Sequence, residues 1–117
     1  MATKEEIERF LLDFKHKLGF WGLIFRSDRD KNFKTLTTLE YQVKDVIKEL
    51  NELKLSNYSE GPVVEILFGG AAMWVFGKSI QGMEVYIKIT MGQPSDRVIC
   101  ISFHFAEHVM KYPYKIK

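Results

Sequence analysis

Near the end of the chain, residues 104–108 read HFAEH, a His-x-x-Glu-His spacing. On a helix this spacing turns two imidazoles and a carboxylate toward one zinc ion, as in one class of metallopeptidase. A catalytic zinc centre needs a further protein ligand. Only residues 109–117 follow, and Pro113 would end any helix within about a turn. The remaining histidine, His16, belongs to the first helix and is expected to face solvent. The expectation is therefore no metal and no cofactor. Cys100 lies four residues before His104, about 13 Å along a strand, too far for a nucleophile–base pair. It reads as a buried packing residue. The glycine-rich run FGGAAMWVFG (68–77) lacks the Gly-Lys-Ser/Thr ending of a phosphate loop and leads into a strand, so it reads as a turn.

A second set of residues is more informative. In MEVYIKITM (83–91) Val85, Ile87, Ile89 and Met91 alternate with Glu84, Tyr86, Lys88 and Thr90, the period of a half-buried strand. RVICISFH (97–104) gives Ile99, Ile101 and Phe103 to one face and Val98, Cys100, Ser102 and His104 to the other. In AMWVFGKSI (72–80), placing Met73 and Val75 on the core face sets Val75 opposite Ile87 and makes Ile80-Gln81-Gly82 a three-residue hairpin loop. The reverse face then carries Trp74, Phe76, Tyr86, Lys88, Ser102 and His104. Flat rings interleaved with a cation and an imidazole suit stacking on bases and neutralising phosphates. The same rings would also be explained by a loop, the C-terminal segment or a partner lying over them. Arg26, Arg29 and Lys31 from one loop, with Lys111, Lys115 and Lys117 around Tyr112 and Tyr114 in the tail, would frame that face with positive charge.

The elements that must position these groups follow from the earlier part of the chain. Thr3 and Glu6 form a capping box before Ile7, Phe10, Leu11, Phe14 and Leu18, an apolar stripe that predicts a first helix stopping near Gly19. FWGLIFR (20–26) predicts a short strand and SDRDKN (27–32) a polar turn. Val43, Val46, Ile47 and Leu50 predict a second helix over about 41–53, with Thr37 and Thr38 as candidate caps. Helices first and strands afterwards give an α+β domain, with two N-terminal helices on one face of a C-terminal antiparallel meander.

A chain of 117 residues supports a single domain, 1–117. With 46% apolar and 27% charged residues it is no disordered or fibrous chain, and a net charge of +2 does not by itself mark a nucleic-acid binder. One cysteine cannot form an internal disulfide, which favours a reducing cytoplasm. The charged start MATKEEIERF lacks a signal peptide's apolar stretch, and no run approaches the roughly 18 apolar residues of a membrane span.

The order of elements, together with NYSEGP (57–62), MWVFGK (73–78), EVYIKI (84–89) and VICISFH (98–104), resembles the motility-quorum-sensing-regulator (MqsR) toxins over about residues 4–104. The resemblance is most specific in VYIKI and in the apolar strand ending Ser-Phe. It implies a RelE-like fold and an mRNA interferase of a toxin–antitoxin pair. Such an enzyme cleaves RNA, free or on the ribosome, without metal, through the substrate's 2′-hydroxyl, and a partner antitoxin neutralises it. The family's strand tyrosine falls on Tyr86, the lysine two on falls on Lys88, and the basic residue after Ser-Phe falls on His104. These three become the candidate catalytic residues, with Trp74, Arg26 and Lys111 as candidate RNA contacts. The chain departs from the family in lacking a lysine before the glycine-rich turn, where Ser59 and Glu60 stand, and in carrying Val75 where a polar residue is expected. It also extends beyond the usual end, where Glu107, His108 and Lys111 offer auxiliary groups. The alternative is a non-enzymatic protein- or nucleic-acid-binding module on the same fold.

Overall fold

The computed structural model describes residues 1–64 and 71–115. The helices are α1 (Lys4–Trp21), α2 (Asp30–Leu39) and α3 (Val43–Asn51). The strands are β1 (Leu23–Phe25), β2 (Tyr58–Val63), β3 (Met73–Ile80), β4 (Met83–Thr90) and β5 (Val98–Phe105). They form one five-stranded sheet in the order β1-β5-β4-β3-β2. β1 runs parallel to β5 and every other pairing is antiparallel. The fold is α+β as expected, with a larger, mixed sheet in place of a pure meander and three helices in place of two.

The capping box forms at the start of α1: Thr3 accepts from the Glu6 N–H, and the Glu6 carboxylate accepts from the Thr3 N–H. The helix runs past Gly19 and ends at Gly22, whose φ of 92° suits a residue without Cβ. The expected polar turn at 27–32 is a turn over 27–29 only, and 30–32 open α2. That helix has little apolar signal because its buried positions include Asn32 and Thr35. Thr37 and Thr38 lie inside it, bonding back to the Phe33 and Lys34 carbonyls. Gln42 and Asp45 supply the box that starts α3.

Asn32 and Thr35 take over the edge of β5 where β1 stops. The Asn32 amide donates to the Ile101 carbonyl at 2.9 Å and accepts from the Phe103 N–H at 2.9 Å. Thr35 accepts from the Phe105 N–H at 3.2 Å. A helix thus completes the hydrogen bonding of a strand edge with side chains, and the edge does not stay open.

The helical layer covers one face of the sheet. Phe10, Phe14 and Leu18 of α1 and Val46 and Leu50 of α3 pack with Trp74, Phe76, Val85, Ile87, Ile89, Cys100 and Phe103. The register of β3 differs by one residue from expectation: Trp74 faces Ile89, Phe76 faces Ile87 and Ile80 faces Met83. The turn is therefore two residues, Gln81 and Gly82, both at positive φ (53° and 82°), the backbone sign of a type I′ hairpin. Met73, Trp74, Val75 and Phe76 are all buried, so alternation could not tell the two faces of β3 apart. Phe10 decides the matter. Its ring stacks on Trp74 at 4.5 Å and 13°.

β5 changes phase part-way along. Lys88 pairs with Ser102 but Ile89 pairs with Cys100, so Ile101 is an extra residue, a β-bulge. Ser102, Phe103 and His104 keep the faces read from the sequence. Val98 and Cys100 move to the helical core, where Ile99 and Ile101 were expected. β2 is bulged as well, with a shift between Tyr58, which faces Phe76, and Glu60, which faces Val75.

Candidate functional site

On the face turned away from the helices the ladders create two cross-strand rows. One runs Gly77–Tyr86–His104, and the other Glu60–Val75–Lys88–Ser102. The bulge in β2 puts Tyr58 in the core yet turns Glu60 onto this face; the bulge at Ile101 lets β5 bury Cys100 and still present Ser102 and His104. Bulges of this kind re-aim side chains beside functional clefts.

After β5 the chain folds back as a strap across the same face. The Ala106 N–H donates to the Glu84 carbonyl at 2.9 Å. The Tyr112 hydroxyl donates to the Glu84 carboxylate at 2.8 Å, and the Tyr114 hydroxyl to the Ala2 carbonyl at 2.6 Å. Gly77 permits the crossing: a Cβ there would stand 2.4 Å from the Tyr112 oxygen and 2.7 Å from the Met110 sulfur. A cleft of about 490 Å3 lies between this strap and the N-terminus of α2. Tyr86, Lys88, Ser102 and His104 enter it from the sheet, Ser59 and Glu60 from β2, and Arg29 from α2. Glu107, His108, Val109, Met110 and Lys111 line it from the strap.

The Tyr86 and His104 rings stack at 5.1 Å and 15°, and the Lys88 ammonium stands 5.9 Å from the Tyr86 ring centre. His104 Nδ1 is 3.0 Å from the Phe105 carbonyl. A carbonyl can only accept, so Nδ1 carries the proton and Nε2 is left as the basic nitrogen. Burial, reinforced by the Glu60 charge and opposed by Arg29, raises the Tyr86 phenol above its ordinary value. Tyr86 is therefore a hydrogen-bond donor at neutral pH. Arg29 is oriented by donating from Nη1 to the Ile101 carbonyl at 3.3 Å and to Ser102 Oγ at 3.5 Å. Glu107 bonds to Lys31 at 2.8 Å, which holds its carboxyl below the usual range.

Tyr86, Lys88, His104, Lys111, Glu107 and His108 thus meet in one cleft. Two expected RNA contacts do not join them. Trp74 is sealed beneath Phe10 on the helical face, because β3 takes the other register. Arg26 follows β1, where its guanidinium pairs with Asp28 at 2.9 Å, and it does not line the cleft. Lys115 lies over the Tyr112 ring beyond the strap, and Lys117 is outside the described residues. Arg29, read from the sequence only as part of a basic loop, is the main residue missed. Seeing 30–39 as a helix would have placed it at the N-terminus facing β5.

HFAEH does not lie on a helix: His104 and Phe105 end β5, Ala106 is irregular, and Glu107 and His108 form a bend. Among the described residues no cluster of three or more His, Cys, Asp or Glu side chains is placed to hold a metal ion. Cys100 is fully buried, and burial pushes its thiol far up. Residues 68–70 of the glycine-rich run lie outside the described residues, and 73–77 are strand. A larger groove of about 1340 Å3 lies beyond the strap. Of its cations, Lys78 pairs with Glu49 at 2.7 Å and Lys15 donates to the Leu53 carbonyl at 2.6 Å. Among the described residues no helix is long and apolar enough to cross a membrane. No family model, curated protein or solved structure matches the chain.

Proposed function

We propose that the protein is a metal-independent endoribonuclease, the toxin of a toxin–antitoxin pair with a RelE-like fold, acting in the cytoplasm on mRNA, free or on the ribosome. The observation that carries this reading is the stacked Tyr86–His104 pair with Lys88 and Arg29 in the same cleft. Neutral His104 takes the proton of the RNA 2′-hydroxyl at Nε2, and the 2′-oxygen attacks the adjacent phosphorus. Lys88 and Arg29 neutralise the charge that builds on the phosphorane, and the Tyr86 phenol donates to a non-bridging oxygen. The bond to the 5′-oxygen breaks, and that oxygen takes a proton from the second imidazole, His108. The products are a 2′,3′-cyclic phosphate and a 5′-hydroxyl. Two imidazoles line the cleft, one from the sheet and one from the strap, and acid–base cleavage of RNA calls for two such groups.

The strap stands where the family resemblance ends. In this reading His108 and Lys111 replace the lysine missing from β2. An antitoxin is the expected protein partner. The test is incubation of the purified protein with end-labelled RNA in EDTA: fragments ending in 2′,3′-cyclic phosphate support the reading. RNA bound but left intact, free and on ribosomes, would instead make the protein a binding module. Two carboxylates in the cleft, Glu60 and Glu107, are the feature that favours that alternative.

A further inference from the structure

Glu60 is out of place in a phosphate-binding cleft. Its carboxylate is exposed and lines the cleft, and it has no ion-pair partner among the described residues. Glu107, the other carboxylate there, is taken up by Lys31. Glu60 is also aimed by the backbone. The bulge between Tyr58 and Glu60 reverses the strand's phase, so Tyr58 fills the core while Glu60 reaches the cleft. Gly61 fixes the chain just beyond: its φ is 123°, and a Cβ there would stand 2.9 Å from the Met73 carbonyl oxygen.

A phosphate would be repelled by this carboxylate and drawn to Lys88 and Arg29. Glu60 faces Val75, which faces Lys88, so two inter-strand steps set its backbone roughly 10 Å from that of Lys88. That is about the reach of a nucleoside from its phosphate to the far edge of its base. An ionised carboxylate only accepts hydrogen bonds, through two oxygens side by side. Of the four RNA bases, guanine alone offers two adjacent donors on its pairing edge, N1–H and the 2-amino group. Adenine, cytosine and uracil each set an acceptor beside their donor, which a carboxylate repels. RNA-cleaving proteins read unpaired bases through such edges.

We propose that Glu60 is the base-reading residue of the cleft and selects guanine in the RNA. The proposal rests on the ribonuclease reading of the cleft. Its test titrates the 15N-labelled full chain with GMP, IMP, AMP, CMP and UMP, following the amide shifts of β2, β4 and β5. GMP should bind tightest. IMP, which lacks the 2-amino donor, should bind about tenfold more weakly, the worth of one hydrogen bond to a charged group. In Glu60→Gln the GMP preference should disappear while binding of the other nucleotides is kept, because the amide offers one acceptor and one donor. Equal binding of all five nucleotides by the wild-type chain overturns the proposal and leaves the cleft as a phosphate site. A GMP preference surviving in E60Q also overturns it, and loss of RNA cleavage in that variant would then mark Glu60 as a proton-transfer group. If no nucleotide shifts these amides, the proposal falls, and the ribonuclease reading is then decided separately by cleavage of free and ribosome-bound RNA in EDTA.

Discussion

Tyr86 and His104 lie ring against ring, 5.1 Å apart and 15° from parallel, on directly paired positions of β4 and β5. Neither ring faces the helical core. The pair exists because Phe103 and Ile87 hold both strands in phase from the other side, so core packing determines the orientation of the residues in the cleft.

The phase of β5 depends on Asn32, which is wholly buried and spans the bulge. Asn32→Ala would leave the Ile101 carbonyl and the Phe103 N–H with one partner fewer at a covered edge. At about 1–3 kcal/mol for each of these two groups, the loss should be roughly 2–6 kcal/mol. Urea unfolding at neutral pH measures it.

The helical side holds a half-sealed ion pair. Glu49 is 2.7 Å from Lys78 and also accepts from the Tyr41 hydroxyl. Burial pushes the Glu49 carboxyl up, but the hydrogen bonds from Lys78 and Tyr41 outweigh it, and the net shift is downward from 4.5. A carboxyl lowered in the folded state adds stability that is present above its unfolded value and lost as pH falls through the folded one. Lys78→Met should therefore cost about 1–3 kcal/mol at pH 7 and much less at pH 3. Urea unfolding of both proteins at the two pH values is the measurement.

Gly77 admits the strap. A Cβ there would crowd the Tyr112 hydroxyl and the Met110 thioether, so both side-chain ends must shift off the sheet. Gly77→Ala should lift residues 110–112, at a cost of about 1–3 kcal/mol, and speed proteolysis between 106 and 115. Tyr112→Phe, which removes the hydroxyl's bonds to the Glu84 carboxylate and the Met110 sulfur without adding bulk, should loosen the strap less.

These relationships divide what the sequence made legible from what it hid. The stripe of α1 and the strict alternation of β4 were readable, because each element has one apolar and one polar face. From β4 alone, Tyr86 and Lys88 were placed correctly. β3 was not readable, since four consecutive large apolar residues satisfy either register and the choice fell to Phe10, distant in sequence. β5 was readable only from Ser102 onward, because Val98 to Ile101 are apolar or nearly so in either phase and the bulge leaves no local signal. α2 escaped because two of its buried residues, Asn32 and Thr35, bond a strand edge, and of its fully buried positions Leu39 alone joins the core. Arg29 was overlooked with it. The strap's return over Gly77 is a long-range contact with no periodicity to announce it.

His104→Ala in the RNA-cleavage assay tests the central claim most directly. The substitution removes a half-buried ring and one stacking contact, a cost of about 1 kcal/mol, so circular dichroism should report a folded protein. With EDTA present, wild-type protein should cut RNA to fragments ending in 2′,3′-cyclic phosphate, and the variant should be slower by about 10²–10⁴-fold. Equal cleavage by the two proteins, or none by the wild type on free or ribosome-bound RNA, would contradict the account.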